Sequence, residues 1–179
     1  MKYDPEKHHR HSIRLKGYDY SQAGAYYVTI CTHKKECLFG NVVDGKMELT
    51  RIGTIAGECW KAIPKHFPNV TLDVFVVMPN HVHGVVMIRR DTACRVPTMG
   101  EFSKPVPGSL PTVIRSYKSA VTKRINELRN TLSSRVWQPN YYEHVIRGEA
   151  DLNEVREYII NNALKWDLDK ENPANLGKR

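Results

Sequence analysis

The sequence lacks any pair of cysteines spaced C-x-x-C, although it contains Cys31, Cys37, Cys59 and Cys94. Structural zinc sites of small domains are usually built on such pairs, so we expect none here. Disulfide frameworks are typical of small secreted chains that cannot bury a sufficient core. A chain of 179 residues with 41% hydrophobic residues can bury one, so we expect reduced thiols in a globular domain.

Long apolar runs are also missing. No segment approaches the roughly 20 consecutive apolar residues that a membrane-spanning helix needs. The N-terminal stretch MKYDPEKHHRHSIRLKGYDY is charged and has no apolar core of a secretory signal. We therefore expect neither a membrane span nor export, and predict a cytoplasmic protein.

Acidic residues are too few to balance the basic ones. The 27 Lys and Arg residues outnumber the 19 Asp and Glu residues, which gives a formal net charge of +8 and a pI of about 9.4. Such an excess favours a polyanionic partner through long-range attraction and counterion release. Nucleic acid is the first candidate, and a basic protein without such a partner is the alternative. Acidic lipid is disfavoured because no basic amphipathic helix or lipidation motif is present.

The order of predicted elements indicates an α+β fold. We predict strands over 25–32, 70–78 and 81–88, a hairpin turning at Asp44-Gly45, an extended segment within 134–146, and helices over 50–63, 109–130 and 150–166. Helices packed against one face of a mainly antiparallel sheet, as in a ferredoxin-like sandwich, accommodate this order.

Three regions follow from the same pattern. Residues 1–24 are predicted to form a basic N-terminal arm, and residues 25–167 the folded domain. Residues 168–179 are polar and are predicted to form a fraying tail. The connection over 89–111 is long and contains Pro and Gly, which is typical of a functional or mobile loop.

Two histidines stand in the apolar stretch MPNHVHG, residues 78–84. Side chains alternate between the faces of a strand, so His81 and His83 share one face, roughly 7 Å apart along the chain. Two imidazoles at that spacing can converge on one divalent transition metal ion. Two partly buried histidines that hydrogen-bond to their neighbours are the alternative.

Tyr117 occupies the centre of the apolar stripe of its predicted helix and is expected to point at the sheet. It is either a core tyrosine or a nucleophile whose hydroxyl reaches the metal and attacks a phosphodiester. Basic residues of the same helix can contact a phosphate backbone or lie in solvent as ordinary surface charges. They are Arg115, Lys118, Lys123 and Arg124.

Four segments together resemble the REP-associated tyrosine transposases, which belong to the HUH superfamily of single-tyrosine transposases. They are GAYYVTICTHKKECLFGNVVDGKMELTRIG, HFPNVTLDVFVVMPNHVHGVVMI, IRSYKSAVTKRIN and VWQPNYYEHVIRGEADLNEVREYIINNALKW. The resemblance extends from about residue 10 to residue 167. MPNHVHG and the W-Q-x-x-Y-Y-x-H-x-I pattern carry it most specifically.

The resemblance implies a ferredoxin-like sheet, a Mg²⁺ or Mn²⁺ site at His81 and His83, and Tyr117 as the nucleophile. It implies an enzyme that nicks and rejoins single-stranded DNA carrying hairpins, through a 5′-phosphotyrosine intermediate. Relatives often add a Gln or Asn ligand one helical turn after the tyrosine, where this sequence has Val121. Relatives occur as monomers and as dimers, so a homodimer stays open, and the expected location is the nucleoid.

Other residues have weaker claims by the same resemblance. Tyr141 and Tyr142 are second-choice nucleophiles, whereas Glu143 and His144 are candidates for groups just outside the metal ligands. Basic residues next to the strands are candidates for DNA contact, namely Lys34, Lys35, Arg89 and Arg90. Two other functions are compatible with these residues: a hairpin-binding module that has lost catalysis, and a metallonuclease that uses water as its nucleophile.

Overall fold

A computed structural model describes residues 18–89, 106–131 and 133–175, and the elements below lie in these ranges. The strands are β1 (Gly24–Cys31), β2 (Gly40–Val43), β3 (Lys46–Leu49), β4 (Val70–Met78), β5 (His81–Ile88) and β6 (Tyr142–Ile146). The helices are α1 (Arg51–Lys61), α2 (Ile63–His66), α3 (Leu110–Arg129) and α4 (Glu149–Ile160). Short 3₁₀ turns at Trp166–Leu168 and Pro173–Asn175 follow α4. Arg90, Cys94 and most of the N-terminal arm lie outside the described residues.

The main sheet has four antiparallel strands in the order β4-β5-β1-β6. Along the chain, β1, α1, β4, β5, α3 and β6 form two β-α-β halves with this interleaved strand order, which is the ferredoxin-like arrangement. The α+β prediction is therefore confirmed. The predicted strands over 70–78 and 81–88 coincide with β4 and β5.

Helices cover both faces of the sheet, which corrects the prediction of one covered face. Helices α1 and α3 pack on each other and on the face that carries Tyr26, Val28, Val82 and Val86. Helix α4 packs against β4 on the opposite face, where Val85 contributes to a second, smaller core. The sequence pattern gives no direct signal for this placement, because an amphipathic stripe does not specify which face of a sheet it covers.

Local sequence explains the boundaries of α1. The Thr50 side chain accepts a hydrogen bond from the Gly53 N–H and so caps the helix. Pro64 sits in the first turn of α2, and the helical path is interrupted at Ala62, as the sequence predicts. The β2–β3 hairpin turns at Asp44 and Gly45, which both have positive φ, as the predicted turn requires.

Gly84 of β5 allows α1 to approach the sheet closely. A Cβ at this position would collide with the indole ring of Trp60 on α1. Trp60 is fully buried in the larger core. The glycine therefore makes room on the face opposite the two histidines, as the alternation of side chains predicts.

The chain after α4 returns across the sheet, which corrects the prediction of a fraying tail for its described part, residues 168–175. Asp169 and Asn172 are buried, and the Asn80 side chain donates a hydrogen bond of 2.7 Å to the Glu171 carbonyl. Asp169 Oδ1 accepts a hydrogen bond from the Glu171 N–H, and Asn172 Nδ2 donates one to the Trp166 carbonyl. We call residues 166–175 the C-terminal strap. Over the described ranges, no helix combines the length and the apolar character required to cross a bilayer.

Candidate metal and tyrosine site

Strand β5 presents His81 and His83 on the face that α4 and the C-terminal strap cover. Pairing with β1 sets Thr29 opposite His83 and Cys31 opposite His81. The centroids of the two imidazole rings are 4.3 Å apart, closer than the spacing of their backbones along the strand suggests. Both side chains are buried, and their rings lie side by side on one face of β5.

Each imidazole is oriented through its Nδ1 atom. His81 Nδ1 lies 2.8 Å from Asn80 Oδ1, and His83 Nδ1 lies 2.9 Å from Thr29 Oγ1 and 2.8 Å from the Tyr27 hydroxyl. Within the described parts of the chain, neither Nε2 atom has a hydrogen-bond partner. Histidine ligands commonly use one ring nitrogen for the metal while the other is held by a neighbour. The two Nε2 atoms are therefore arranged as ligand atoms.

Asp169 of the C-terminal strap completes a group that can hold a metal ion. The ligand atoms of His81, His83 and Asp169 all lie within 4.8 Å of one another, and all three residues are buried. Asp169 Oδ2 is 3.9 Å from His81 Nε2. Ligand atoms on opposite sides of a Mg²⁺-sized ion are about 4 Å apart. The ligand atoms of these three residues would therefore have to approach one another by less than about 1 Å to bind such an ion. A donor set of imidazole nitrogen and carboxylate oxygen suits Mn²⁺ and related divalent ions.

The protonation states also fit a metal. Burial lowers the pKa of His81 to about 4, against an opposing effect of Asp169. Burial and the neighbouring His81 lower the pKa of His83 well below its usual value. Both imidazoles are therefore neutral near pH 7, which is the form that binds metal ions.

Tyr158 of α4 lies beside the histidines. Its ring centroid is 5.3 Å from that of His83 and 6.2 Å from that of Tyr27. Burial raises the pKa of Tyr158, Asp169 adds to the rise, and hydrogen bonds with Asn162 and Tyr27 oppose it. Tyr158 is nevertheless 41% exposed.

Asn162 follows Tyr158 by one helical turn. It is buried, and its Oδ1 has no hydrogen-bond partner within the described residues. Its side chain also contributes to the pKa of His81, after the larger effects of burial and of the carboxylates of Asp169 and Glu171. Asn162 is thus a candidate for a fourth ligand.

A cavity of about 750 Å³ opens over this group between β6, α4 and the C-terminal strap. Tyr158 and His83 form part of its wall. Its other lining residues include Tyr27, Thr29, Tyr142, His144, Asp151 and Lys170. The volume is in the range of ligand pockets, so a segment of substrate can reach Tyr158 and His83 together.

Tyr117 lies on the other side of the sheet. Its hydroxyl donates to the Ala56 carbonyl of α1 at 3.3 Å, and its ring packs against Trp60 and Trp137 at centroid distances of 5.1 and 5.7 Å. Burial raises its pKa well above the usual value. The expectation that its hydroxyl faces the histidines is wrong, because α3 and the histidines lie on opposite faces of β5. Val121, one turn later, is buried in the same core.

Three of the four basic residues of α3 that were predicted to contact DNA already have partners. Lys118 Nζ donates to the Gln138 carbonyl, and burial lowers its pKa to about 8. Arg124 forms an ion pair with Glu58 at 2.7 Å, and Lys123 lies 3.9 Å from Glu127. Arg115 is exposed on the same helix. The structure does not bring these four residues to the histidine site.

The weaker candidates are divided between the two faces of the sheet. Tyr142 and His144 line the cavity, as does Tyr141 from the preceding loop. Glu143 is buried on the face of the larger core. Lys35 pairs with Glu171 at 3.1 Å, while Lys34 and Arg89 are exposed.

Tyr158, Asn162 and Asp169 were not identified from the sequence. One signal was available in the sequence. The resemblance implies an amide residue one helical turn after the nucleophilic tyrosine, and Asn162 follows Tyr158 at that spacing. Tyr117 is instead followed by Val121. For Asp169 we find no comparable signal, since its place beside His81 depends on the path of the C-terminal strap.

No model of a known protein family matches the chain. A Haemophilus influenzae protein described as uncharacterized is 41% identical over 175 residues, which cover 94% of this chain and 96% of that protein. A REP-associated tyrosine transposase solved with a bound REP hairpin is similar in structure, with a TM-score of 0.59 and 18% identity over 88% of this chain and 76% of that chain. The fold that the motifs imply is therefore confirmed.

Proposed function

We propose that this protein is a metal-dependent DNA strand nickase and transferase. The chain belongs to the same protein family as the Haemophilus influenzae relative. It has the fold of a REP-associated tyrosine transposase, and the geometry of its site supports the proposal. Its substrate is single-stranded DNA that carries hairpin elements. The observation that carries the proposal is the position of the Tyr158 ring, 5.3 Å from the ring of His83, whose Nε2 has no hydrogen-bond partner among the described residues.

His81, His83 and Asp169 are the proposed ligands of a Mg²⁺ or Mn²⁺ ion, with Asn162 as a further ligand. A divalent cation held there would polarise the scissile phosphate and stabilise the charge that develops on its oxygens. Thr29, Tyr27 and Asn80 fix the imidazoles so that both Nε2 atoms point to one place. Their contribution is orientation, because each holds the Nδ1 atom on the far side of a ring.

Tyr158 is the proposed nucleophile. Its phenol oxygen attacks phosphorus and gives up its proton to solvent through the open cavity, while the bond between phosphorus and the 3′ oxygen breaks. The 5′ phosphate stays on Tyr158 as a phosphotyrosine, and the other strand end leaves with a 3′ hydroxyl. Attack by a 3′ hydroxyl on the phosphotyrosine rejoins the strand without an external energy source, because one phosphodiester is exchanged for another.

The partner is inferred from charge and from the relative. The net charge of +8 favours a polyanion, and the structurally similar transposase was solved with a REP hairpin. Tyr142 is 47% exposed at the cavity and offers a ring face on which a base of a single strand can stack. Arg115 is the member of the predicted basic set for which we retain a role in binding DNA.

The proposal is tested by trapping the covalent intermediate. The protein is incubated with hairpin-bearing single-stranded DNA and Mn²⁺, and a labelled protein–DNA adduct is measured on a denaturing gel. We expect Tyr158→Phe to abolish the adduct. The matched control Tyr117→Phe should retain it, because that hydroxyl lies on the other face of the sheet.

Three other results would overturn the proposal in different ways. An adduct that persists in Tyr158→Phe and disappears in Tyr117→Phe would assign the nucleophile to Tyr117. Nicking without any adduct would indicate a hydrolytic metallonuclease. Intact hairpin binding without nicking would indicate a binding module.

A further inference from the structure

His144 and Asp151 form a paired group in the wall of the same cavity. His144 Nε2 lies 3.0 Å from both carboxylate oxygens of Asp151. The backbone N–H of Arg147 donates to Asp151 Oδ2 at 2.8 Å and holds the carboxylate in place. We propose that His144 is the general acid that protonates the 3′ oxygen when the DNA strand is cut, and this inference rests on the proposed function.

The pair lies at a suitable distance from the nucleophile. Asp151 and Tyr158 are seven residues apart on α4, so they share one face of the helix about 10 Å apart. The β1–β6 register sets His144 opposite Tyr27, whose ring in turn contacts Tyr158. In an in-line displacement the attacking and leaving oxygens lie on opposite sides of phosphorus. A phosphodiester between Tyr158 and His144 therefore directs its leaving oxygen toward the imidazole.

The hydrogen bonds of His144 leave one ring nitrogen available. With Nε2–H donating to Asp151, Nδ1 is the second site of protonation, and within the described residues it has no hydrogen-bond partner. A carboxylate in this position fixes the tautomer and stabilises the imidazolium, as in catalytic triads. Hydrogen bonds from Arg147 and His144 keep the pKa of Asp151 below its usual value, so the carboxylate is anionic.

The proton balance of the step is complete. As the bond from phosphorus to the 3′ oxygen breaks, the electron pair stays on that oxygen and Nδ1–H of the His144 imidazolium protonates it. The products are the phosphotyrosine, a 3′ hydroxyl and a neutral His144. In rejoining, neutral His144 accepts the proton of the attacking 3′ hydroxyl.

A purely structural role for the pair is the competing explanation. Asp151 stands in the first turn of α4 and accepts a backbone N–H, so it supports the start of the helix whatever His144 does. Loss of such a role would slow every substrate alike. A substrate whose leaving group needs no proton distinguishes the two roles, because its cleavage does not depend on a general acid.

The experiment compares two hairpin substrates, one with the natural 3′ oxygen and one with sulfur in that bridging position at the scissile bond. Thiols have a pKa of about 8.5, far below that of an alcohol, so a thiolate departs without a general acid. We expect His144→Gln to slow cleavage of the oxygen substrate by about 100-fold and that of the sulfur substrate by less than about threefold. Asp151→Asn should show the same pattern with a smaller loss. The exposed His66 of α2 provides the control His66→Gln, which should affect neither substrate.

Folding and binding are measured beside cleavage, by urea unfolding and by fluorescence anisotropy of labelled hairpin DNA. Equal slowing of both substrates in His144→Gln, or no slowing of either, would overturn the role of His144 while leaving the adduct with Tyr158 intact. Absence of an adduct in the unmodified protein would instead overturn the proposed function, and the proposal for His144 with it.

Discussion

Among single residues, Asn80 links the histidine site to the rest of the molecule. Its Oδ1 contacts His81 Nδ1, and its Nδ2 donates to the carbonyls of Lys35 and Glu171. Its own backbone carbonyl accepts from Thr32 N–H at 2.8 Å. The Asn of MPNHVHG is therefore more than a turn former, since one buried side chain orients the His81 imidazole and anchors the C-terminal strap.

The buried histidines make stability depend on pH. His81 has a pKa of about 4 in the folded protein and an ordinary value of 6.5, and the pKa of His83 is also lowered. Between these values the unfolded chain binds more protons than the folded one, so the free energy of unfolding falls as the pH falls below 6.5. Each histidine contributes at most about 1.4 kcal/mol per pH unit in that window. We expect the metal-free protein to be less stable at pH 5.5 than at pH 7.5 by urea unfolding in EDTA.

The variant His81→Gln checks the origin of this dependence. It removes one of the two groups, so its loss of stability over the same pH interval should be smaller than that of the unmodified protein. An identical loss would mean that His81 does not contribute to the pH dependence.

At the scale of elements, the hydrophobic pattern of the sequence was sufficient to predict the strands but insufficient to predict which residues form the site. Strands β4 and β5 are apolar runs separated by Pro79-Asn80, and alternation along β5 correctly assigned the histidines to one face. Tyr117 was misplaced because helical periodicity shows only that a residue faces the core. Which face of the sheet a helix covers depends on its connection. In α4 that connection passes through Gly148, whose φ of 117° is unfavourable for other residues.

The packing of α1 against β5 gives a prediction with a built-in control. Gly84→Ala forces a methyl group into the Trp60 ring, whereas Gly57→Ala on α1 meets Val77 at 3.8 Å, an ordinary contact. We expect Gly84→Ala to destabilise the protein by about 1–3 kcal/mol through overpacking. Gly57→Ala should stabilise it by about 0.5–1 kcal/mol through helix propensity. Denaturant unfolding measures both, and equal effects would contradict the close approach of α1 to the sheet.

At the scale of the whole molecule, the net charge of +8 is distributed between paired and unpaired basic side chains. Several basic residues are already engaged by carboxylates or carbonyls, as Arg124 is by Glu58 and Arg156 is by Asp73. An engaged cation must give up its partner before it can neutralise a phosphate. The sign and size of the net charge therefore predict a polyanionic partner. The residues expected to contact that polyanion are the basic side chains that have no carboxylate or carbonyl partner within the protein.

Helix α3 allows this selection to be tested with two arginines of equal charge. Arg115 is exposed without an ion pair among the described residues, whereas Arg124 pairs with Glu58 at 2.7 Å. Each phosphate contact contributes about 0.7 to the slope of log K against log salt for single-stranded DNA. We expect Arg115→Gln to reduce the slope by about that amount and Arg124→Gln to leave it nearly unchanged, with affinities measured by anisotropy between low and physiological salt. Equal reductions in both variants would show that net charge alone, and not the pairing of individual side chains, determines how this protein binds DNA.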